Sequence, residues 1–381
     1  MSINLGNQGE YMRSEVRKAY YEIALIPKMN LFRVLCETLA SGYYRDPSVC
    51  HVHFYYFHTN YEGNCFTQQG MQLFLIYHFA QGYCIANPFR KVQFCFYNLE
   101  NDNFESLKQK VALFSNTCSM MYTCKKCRVL DHIQNESRDF YAMLSDDEVK
   151  KTFKNPYEGK LVLFDQLTFT KNDKLIIEAL IDSPKTDVWF IVTDATIDRF
   201  KHSELGKKVK IMLTKNLLED AKAYHNEIAQ YIKSLIPSSR EYFLHLFSQQ
   251  QGSSFYGIIL GTASVGNIIM FLNACWKQDP YEGESNIFQL IGAEDRFLLN
   301  SSGLSRKQQQ IKKEFVEMVL EGKITDQLSS VEYAISRACD FNFVHMLTEE
   351  LLEKGKIEIR GNLNIKYRFR YQMNGYSIQV A

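Results

Sequence analysis

Residues 161–200, LVLFDQLTFTKNDKLIIEALIDSPKTDVWFIVTDATIDRF, decide the fold. Leu161-Val162-Leu163-Phe164 is an apolar run too short for a helix and bounded by polar residues, as a strand buried on both faces is. Leu175, Ile176, Ala179 and Leu180 form a helical apolar face, Ser183-Pro184 breaks it, and Val188-Trp189-Phe190-Ile191-Val192 is a second buried strand. Strand, helix and strand over this length predict a parallel βαβ crossover. Ligands of such sheets sit at the carboxyl ends of the strands, which places Asp165 and Gln166 at the expected site.

The same pattern precedes this unit. Residues 52–57 are an aromatic strand, 58–63 a turn, 69–79 a helix, 91–97 a strand ending near Glu100, and 103–114 a helix. Residues 11–41 lead in as helix interrupted at Pro27. Residues 117–154 read as an irregular excursion from the sheet. Beyond the central unit, 217–235 is an amphipathic helix with Tyr224, Ile228, Tyr231 and Ile232 on one face, ended by Pro237. Residues 240–249 read as a helix, 255–260 as a strand and 265–276 as a helix. Repetition of this kind predicts an α/β, Rossmann-like, doubly wound and mostly parallel sheet.

A composition shift at 300–307, NSSGLSRK, marks a boundary. Helices at 308–320, 331–338 and 342–353 follow, two of them closed by Gly322 and Gly355, and 356–359 and 366–370 alternate like hairpin strands. Three helices and a hairpin predict a winged helix. The expected division is a helical lead-in at 1–45, an α/β domain at 46–300 and a winged-helix domain at 301–381.

Composition narrows the function classes. With 44 Lys and Arg against 43 Asp and Glu, no global field steers the chain to nucleic acid, so such binding needs a local patch. Ten cysteines without an amino-terminal signal pattern predict a reducing cytoplasm and mostly free thiols. No apolar run reaches the length of a membrane span. Absence of G-x-S-x-G, P-loop, H-E-x-x-H and calcium-loop motifs removes support for serine hydrolases, P-loop NTPases and zinc proteases.

Three stretches together resemble the three-Cys-motif partner family, a bacterial group with a class I methyltransferase-like domain. They are Leu163-Phe164-Asp165-Gln166 followed by Asp198-Arg199-Phe200, the segment 271–286 (FLNACWKQDPYEGESN), and 313–357 with its EGKIT start and LLEKGKI end. The resemblance implies a protein partner, a radical-SAM-like neighbour, and a role in a bacterial nucleic-acid-directed complex, including defence against phage. It also implies an S-adenosylmethionine pocket with a Gly-rich turn after the first strand. Here that turn holds Asn60-Tyr61-Glu62 and a single Gly63, with Glu100 as the acid for the ribose hydroxyls. The expectation is therefore a methyltransferase-like domain with an altered pocket, no bound cofactor and no methyl transfer. An active S-adenosylmethionine-dependent nucleic-acid methyltransferase using Asp165, Gly63 and Glu100 is the alternative, and a protein-binding scaffold the third reading.

Each candidate residue also has a plain structural role. Asp165 is a catalytic acid or a turn residue before the Lys171 helix. Cys118, Cys124, Cys127 and His132 have zinc-compatible softness but only one C-x2-C, so free thiols and no metal are expected. His51 and His53 share one strand face, a pairing that can ligate a metal, but with only Cys50 as a nearby acid or thiol they are expected to pack or face solvent. Lys356, Arg360, Lys366, Arg368 and Arg370, interleaved with Tyr367, Phe369 and Tyr371, form a basic wing for DNA, RNA or a protein partner, or a solvated strand face.

Overall fold

A computed structural model describes residues 48–57, 91–97, 105, 108, 109, 112, 133–136, 140–164, 167–209, 217–251, 254–286, 303–361 and 376–380. Its centre is a seven-stranded sheet of β1 (His51–Phe57), β2 (Lys91–Tyr97), β3 (Ile133–Glu136), β4 (Glu158–Phe164), β5 (Thr186–Val192), β6 (Phe243–Gln251) and β7 (Ser254–Thr262). Their order is β3-β2-β1-β4-β5-β7-β6. The first five strands are parallel, and β7 runs antiparallel to both β5 and β6. The chain winds outward from β1 to β3, returns to place β4 beside β1, and winds the other way, which makes the β1/β4 pair the topological switch point.

The organising unit folds as its pattern dictates. All seven residues of β5 are buried, and so are six of the seven in β4. Between them α3 (Lys171–Ile181) starts at Thr170, whose side chain accepts a hydrogen bond from the Asn172 amide, and buries Ile176, Ile177 and Leu180. Short helices α1 (Phe140–Leu144) and α2 (Asp147–Lys154) precede β4. After β5 come α4 (Asp194–His202) and α5 (Leu217–Leu235). On one face, Tyr55, Phe57, Tyr97, Val162, Phe164, Val188 and Phe190 pack with side chains of α1 to α5 into one core. Helix α6 (Val265–Gln278) covers the other face of β6 and β7, with Phe271 edge-on to His245 at 5.6 Å.

Two expectations are corrected. Residues 117–154 are not wholly irregular, since they contain the edge strand β3 and both α1 and α2. The stretch 240–249 is not a helix but lies largely in β6, which forms a hairpin with β7 through nine register pairs. Phe243, Leu244, Leu246 and Phe247 have helical spacing, yet the strand-forming partner just after them wins by supplying a ladder. The expected helices at 11–41, 69–79 and most of 103–114 lie outside the described residues.

The carboxy-terminal segment contains α7 (Arg306–Leu320), α8 (Gln327–Ser336), α9 (Phe341–Glu353), β8 (Ile357–Arg360) and β9 (Ser377–Val380). Helix α7 opens with a reciprocal capping box between Ser305 and Gln308. Strand β8 pairs antiparallel with β9, and the expected hairpin strand at 366–370 lies outside the described residues. On the far side of β9 the Ile378 amide donates to the Thr325 carbonyl at 2.7 Å and the Gln327 amide to the Tyr376 carbonyl at 3.1 Å. The core of this segment joins Phe315, Ala334, Phe341, Val344, Leu347, Ile357 and Ile378 to Ile269 and Trp276 of α6, so α6 ties this segment to the sheet it covers.

Candidate functional site

The fold directs attention to the carboxyl ends of β1, β2, β4 and β5. The last residues of the first three are Phe57, Tyr97 and Phe164, all buried. Tyr97 stacks on Phe57 with ring centres 4.6 Å apart, and Phe140 packs edge-on against both Phe57 and Phe164. At the switch point the described strand tips are thus aromatic and carry no acid.

The polar group that organises the end of β4 is Asp173, which the sequence did not single out. Fully buried at the start of α3, it accepts from the Thr168 amide at 3.0 Å, the Thr168 hydroxyl at 2.6 Å, the Phe169 amide at 2.7 Å and the Tyr231 hydroxyl at 3.1 Å. These bonds hold Phe169 at φ +56°, a torsion uncommon outside glycine. Its ring is clasped by Phe200 at 5.1 Å and Tyr231 at 5.5 Å. Phe200 of the Asp198-Arg199-Phe200 triplet therefore locks the β4 loop, while Asp198 is exposed beside His202. Asp194, at the end of β5, has its carboxyl pushed above its ordinary range by burial, against the opposing Phe255 amide and Lys201.

A second polar centre lies at the β6 edge, around the segment 279–286. Asp279 is fully buried, and its two carboxylate oxygens accept from four amides, those of Tyr281, Glu282, Glu284 and Ser285, at 3.1 to 3.2 Å. Gly283 sits at φ +69°, where an added Cβ meets the Trp276 indole at 2.5 Å, and that indole donates to the Ala338 carbonyl. Asn286 exchanges hydrogen bonds with the backbone of Gln250. Glu284 bonds Lys222 of α5 at 2.7 Å and Lys307 of α7 at 2.9 Å. Burial works against its charge, but the two ammonium groups outweigh burial and hold the carboxyl at about 2. The segment 279–286 is thus a joint between the sheet edge and α6 to α8.

Beside this joint a cleft of about 340 Å³ opens between α5 and β6, lined by Lys222, Asn226, Gln230, Lys233, Ser248 and Glu284 among others. Ser248 lies 3.0 Å from Nδ1 of buried His225, a distance that suits a nucleophile and its base. Burial drives His225 down to about 3, and no carboxylate is hydrogen-bonded to it among the described residues. Its ring packs against Gly257, so the pair is read as core packing.

At the opposite, amino-terminal end of the sheet, His51 and His53 of β1 meet Glu158 of β4. These are the paired histidines for which packing or solvent exposure is the expectation favoured over metal ligation. Their donor atoms and a Glu158 oxygen lie within 4.8 Å of one another. Burial, partly opposed by Glu158, lowers His53 to about 4.

Of the other residues selected from the sequence, Lys356 precedes β8 and Arg360 ends it, both exposed, while Ile357 between them is buried. Asp165, Gly63, Glu100, Lys366, Arg368 and Arg370 lie outside the described residues, as do Cys118, Cys124, Cys127 and His132. No helix among the described residues is long and apolar enough to cross a membrane. No protein-family model matches the chain, and neither a curated protein nor a solved structure matches it.

Proposed function

We propose that this protein is a non-catalytic, methyltransferase-like subunit of a bacterial complex, in which a carboxy-terminal winged helix contacts nucleic acid. The observation that carries the reading is the order of the last elements. Three helices precede β8 and β9, β9 is flanked by residues 325–327, and the β8–β9 connection contains Lys366, Arg368 and Arg370. In a winged helix that connection is the wing, which follows a sugar–phosphate backbone, and on this reading its cations add to those of Lys356 and Arg360. Sheet order supports the methyltransferase-like part. The first five strands follow the doubly wound order 3-2-1-4-5, and β7 enters antiparallel between β5 and β6, a departure from the dinucleotide-binding order. The bacterial setting, protein partner and defence role rest on the family resemblance.

Gel shifts at low salt with single- and double-stranded DNA and RNA test the wing. Binding is expected to weaken at least tenfold when Lys366, Arg368 and Arg370 are changed to Glu, with a smaller salt slope. A flat response to every probe assigns the module to protein docking.

A working methyltransferase is the second reading, favoured by the strained Phe169 turn at the β4 end, since such torsions cluster at functional sites. Calorimetry with S-adenosylmethionine separates the two. The non-catalytic reading expects no heat of binding, and micromolar binding lost on Glu100→Ala establishes the enzyme.

A further inference from the structure

We propose that His51, His53 and Glu158 form a binding site for one divalent transition-metal ion, clamping β1 to β4 at the amino-terminal edge of the sheet. Residues two apart on a strand share a face, so His51 and His53 project together, and the parallel register sets Glu158 directly beside His51. The Glu158 carboxylate lies between the two rings, Oε1 3.5 Å from His51 Nδ1 and Oε2 3.1 Å from His53 Nε2. Ligand atoms bound tetrahedrally at zinc bond lengths are about 3.3 Å apart. The two observed separations, one to each carboxylate oxygen, bracket that value, and one donor atom from each of the three residues lies within 4.8 Å of the others.

Hydrogen bonding does not fully satisfy the arrangement. His53 Nε2 and Glu158 Oε2 are buried 3.1 Å apart, and neither has a hydrogen-bond partner of good geometry. A cation shared by the two groups satisfies both atoms at once. The surroundings orient the ligands. Asn155 Nδ2 donates to Glu158 Oε1 at 3.0 Å, and the Tyr55 ring stacks on His53 at 6.0 Å with planes 10° apart. The nearest competing cation, Lys160, is buried with its ammonium donating to the Asn155 and Thr152 carbonyls at 3.0 and 3.3 Å, at the end of α2. The His51 side chain is 37% exposed, which gives an ion an entry path.

Donor chemistry selects the ion. Two imidazoles and one carboxylate suit zinc, iron(II), cobalt(II) or nickel(II), while calcium and magnesium take oxygen donors. Three protein ligands leave at least one position for water. The site stands at the end of the strands remote from the expected ligand crevice, so it is independent of the proposed function and acts on the pairing of β1 with β4.

The test uses the full chain, stripped of metal and titrated with zinc or cobalt(II). One ion per chain is expected, with cobalt giving visible d–d bands but no thiolate charge-transfer band. Zinc at a hundredfold excess over its Kd is expected to raise Tm by about 3 °C. Glu158→Gln and His53→Asn abolish both signals, and Cys124→Ser retains them. The exposed-site variant His51→Gln, which disturbs packing least, weakens binding at least tenfold. Absence of a zinc-dependent shift in the wild-type chain, its retention in Glu158→Gln, or its loss in Cys124→Ser overturns the proposal.

Discussion

Two polar clusters on one sheet are built by opposite rules. At the β6 joint both anions are provided for, Asp279 by four backbone amides and Glu284 by two ammonium groups. At the amino end of β1 and β4, Glu158 receives one hydrogen bond, from Asn155, and its other oxygen confronts a buried imidazole nitrogen without forming one. A buried polar group left unpaired costs about 1–3 kcal/mol, so a closed network stabilises the fold while an open one is a place for a ligand. The contrast makes a quantitative claim. Substitutions in the joint should destabilise strongly, and substitutions in the histidine cluster should matter mainly when metal is present.

The largest effect is expected at Gly283. Gly283→Ala brings a Cβ to 2.5 Å from the Trp276 indole at a positive φ, so the turn or the indole must move, and the indole also holds the Ala338 carbonyl. A loss of about 3 kcal/mol or more in urea unfolding is expected, from overpacking and backbone strain together. Next comes Asp279→Asn, which keeps the shape but turns one acceptor into a donor aimed at two amides. Two unpaired buried N–H groups imply a loss of about 2–4 kcal/mol. An unchanged urea midpoint in either variant would dissolve the contrast from the joint's side.

Glu284→Gln should cost less, about 1–2 kcal/mol, because its side chain is 38% exposed and solvent screens the two lysines. Its carboxyl is depressed to about 2, so the stabilisation is complete above the unfolded value of about 4.5. Protonation of the folded form removes it as pH falls from there towards 2. Thermal melts of wild type and variant from pH 7 to pH 2.5 should therefore converge on acidification. Curves that stay parallel would show that the two ammonium contacts contribute nothing.

How far the sequence reveals these clusters depends on whether their partners are local. Strands β1, β2, β4, β5 and β7 are legible because buried apolar runs admit few other readings, and α3, α5 and α6 because their apolar spacing is sustained. Strand β6 is misread because its spacing suits a helix and only pairing with β7 decides the outcome. Strand β3, IQNE, carries a single apolar residue and is invisible as an edge. The 271–286 segment is legible as a motif, but its meaning is not, since the groups it binds come from α5, β6, α7 and the turn after α8. Asp173 escapes notice for a related reason. It reads as an ordinary first-turn acid, and only the fold shows it closing the loop that follows β4. Glu158 is not singled out by the sequence, because nothing in the chain says that β4 will lie against β1 in that register.

The smallest effect sharpens the contrast most. In metal-free buffer at pH 7, Glu158→Gln should change stability by less than about 0.5 kcal/mol. It removes a charge that has little hydrogen bonding to lose, and the Gln side-chain oxygen can still accept from Asn155. An amide nitrogen beside His53 Nε2 also gives that acceptor a donor, which favours the variant slightly. Were the cluster a closed structural network like the joint, the same isosteric change would remove an ion pair and cost about 2 kcal/mol or more. Urea titration of the two proteins side by side, with chelator present, distinguishes these outcomes. A large loss would place the histidine cluster in the same class as Asp279 and Glu284, and the difference between the two ends of the sheet would then be one of composition alone.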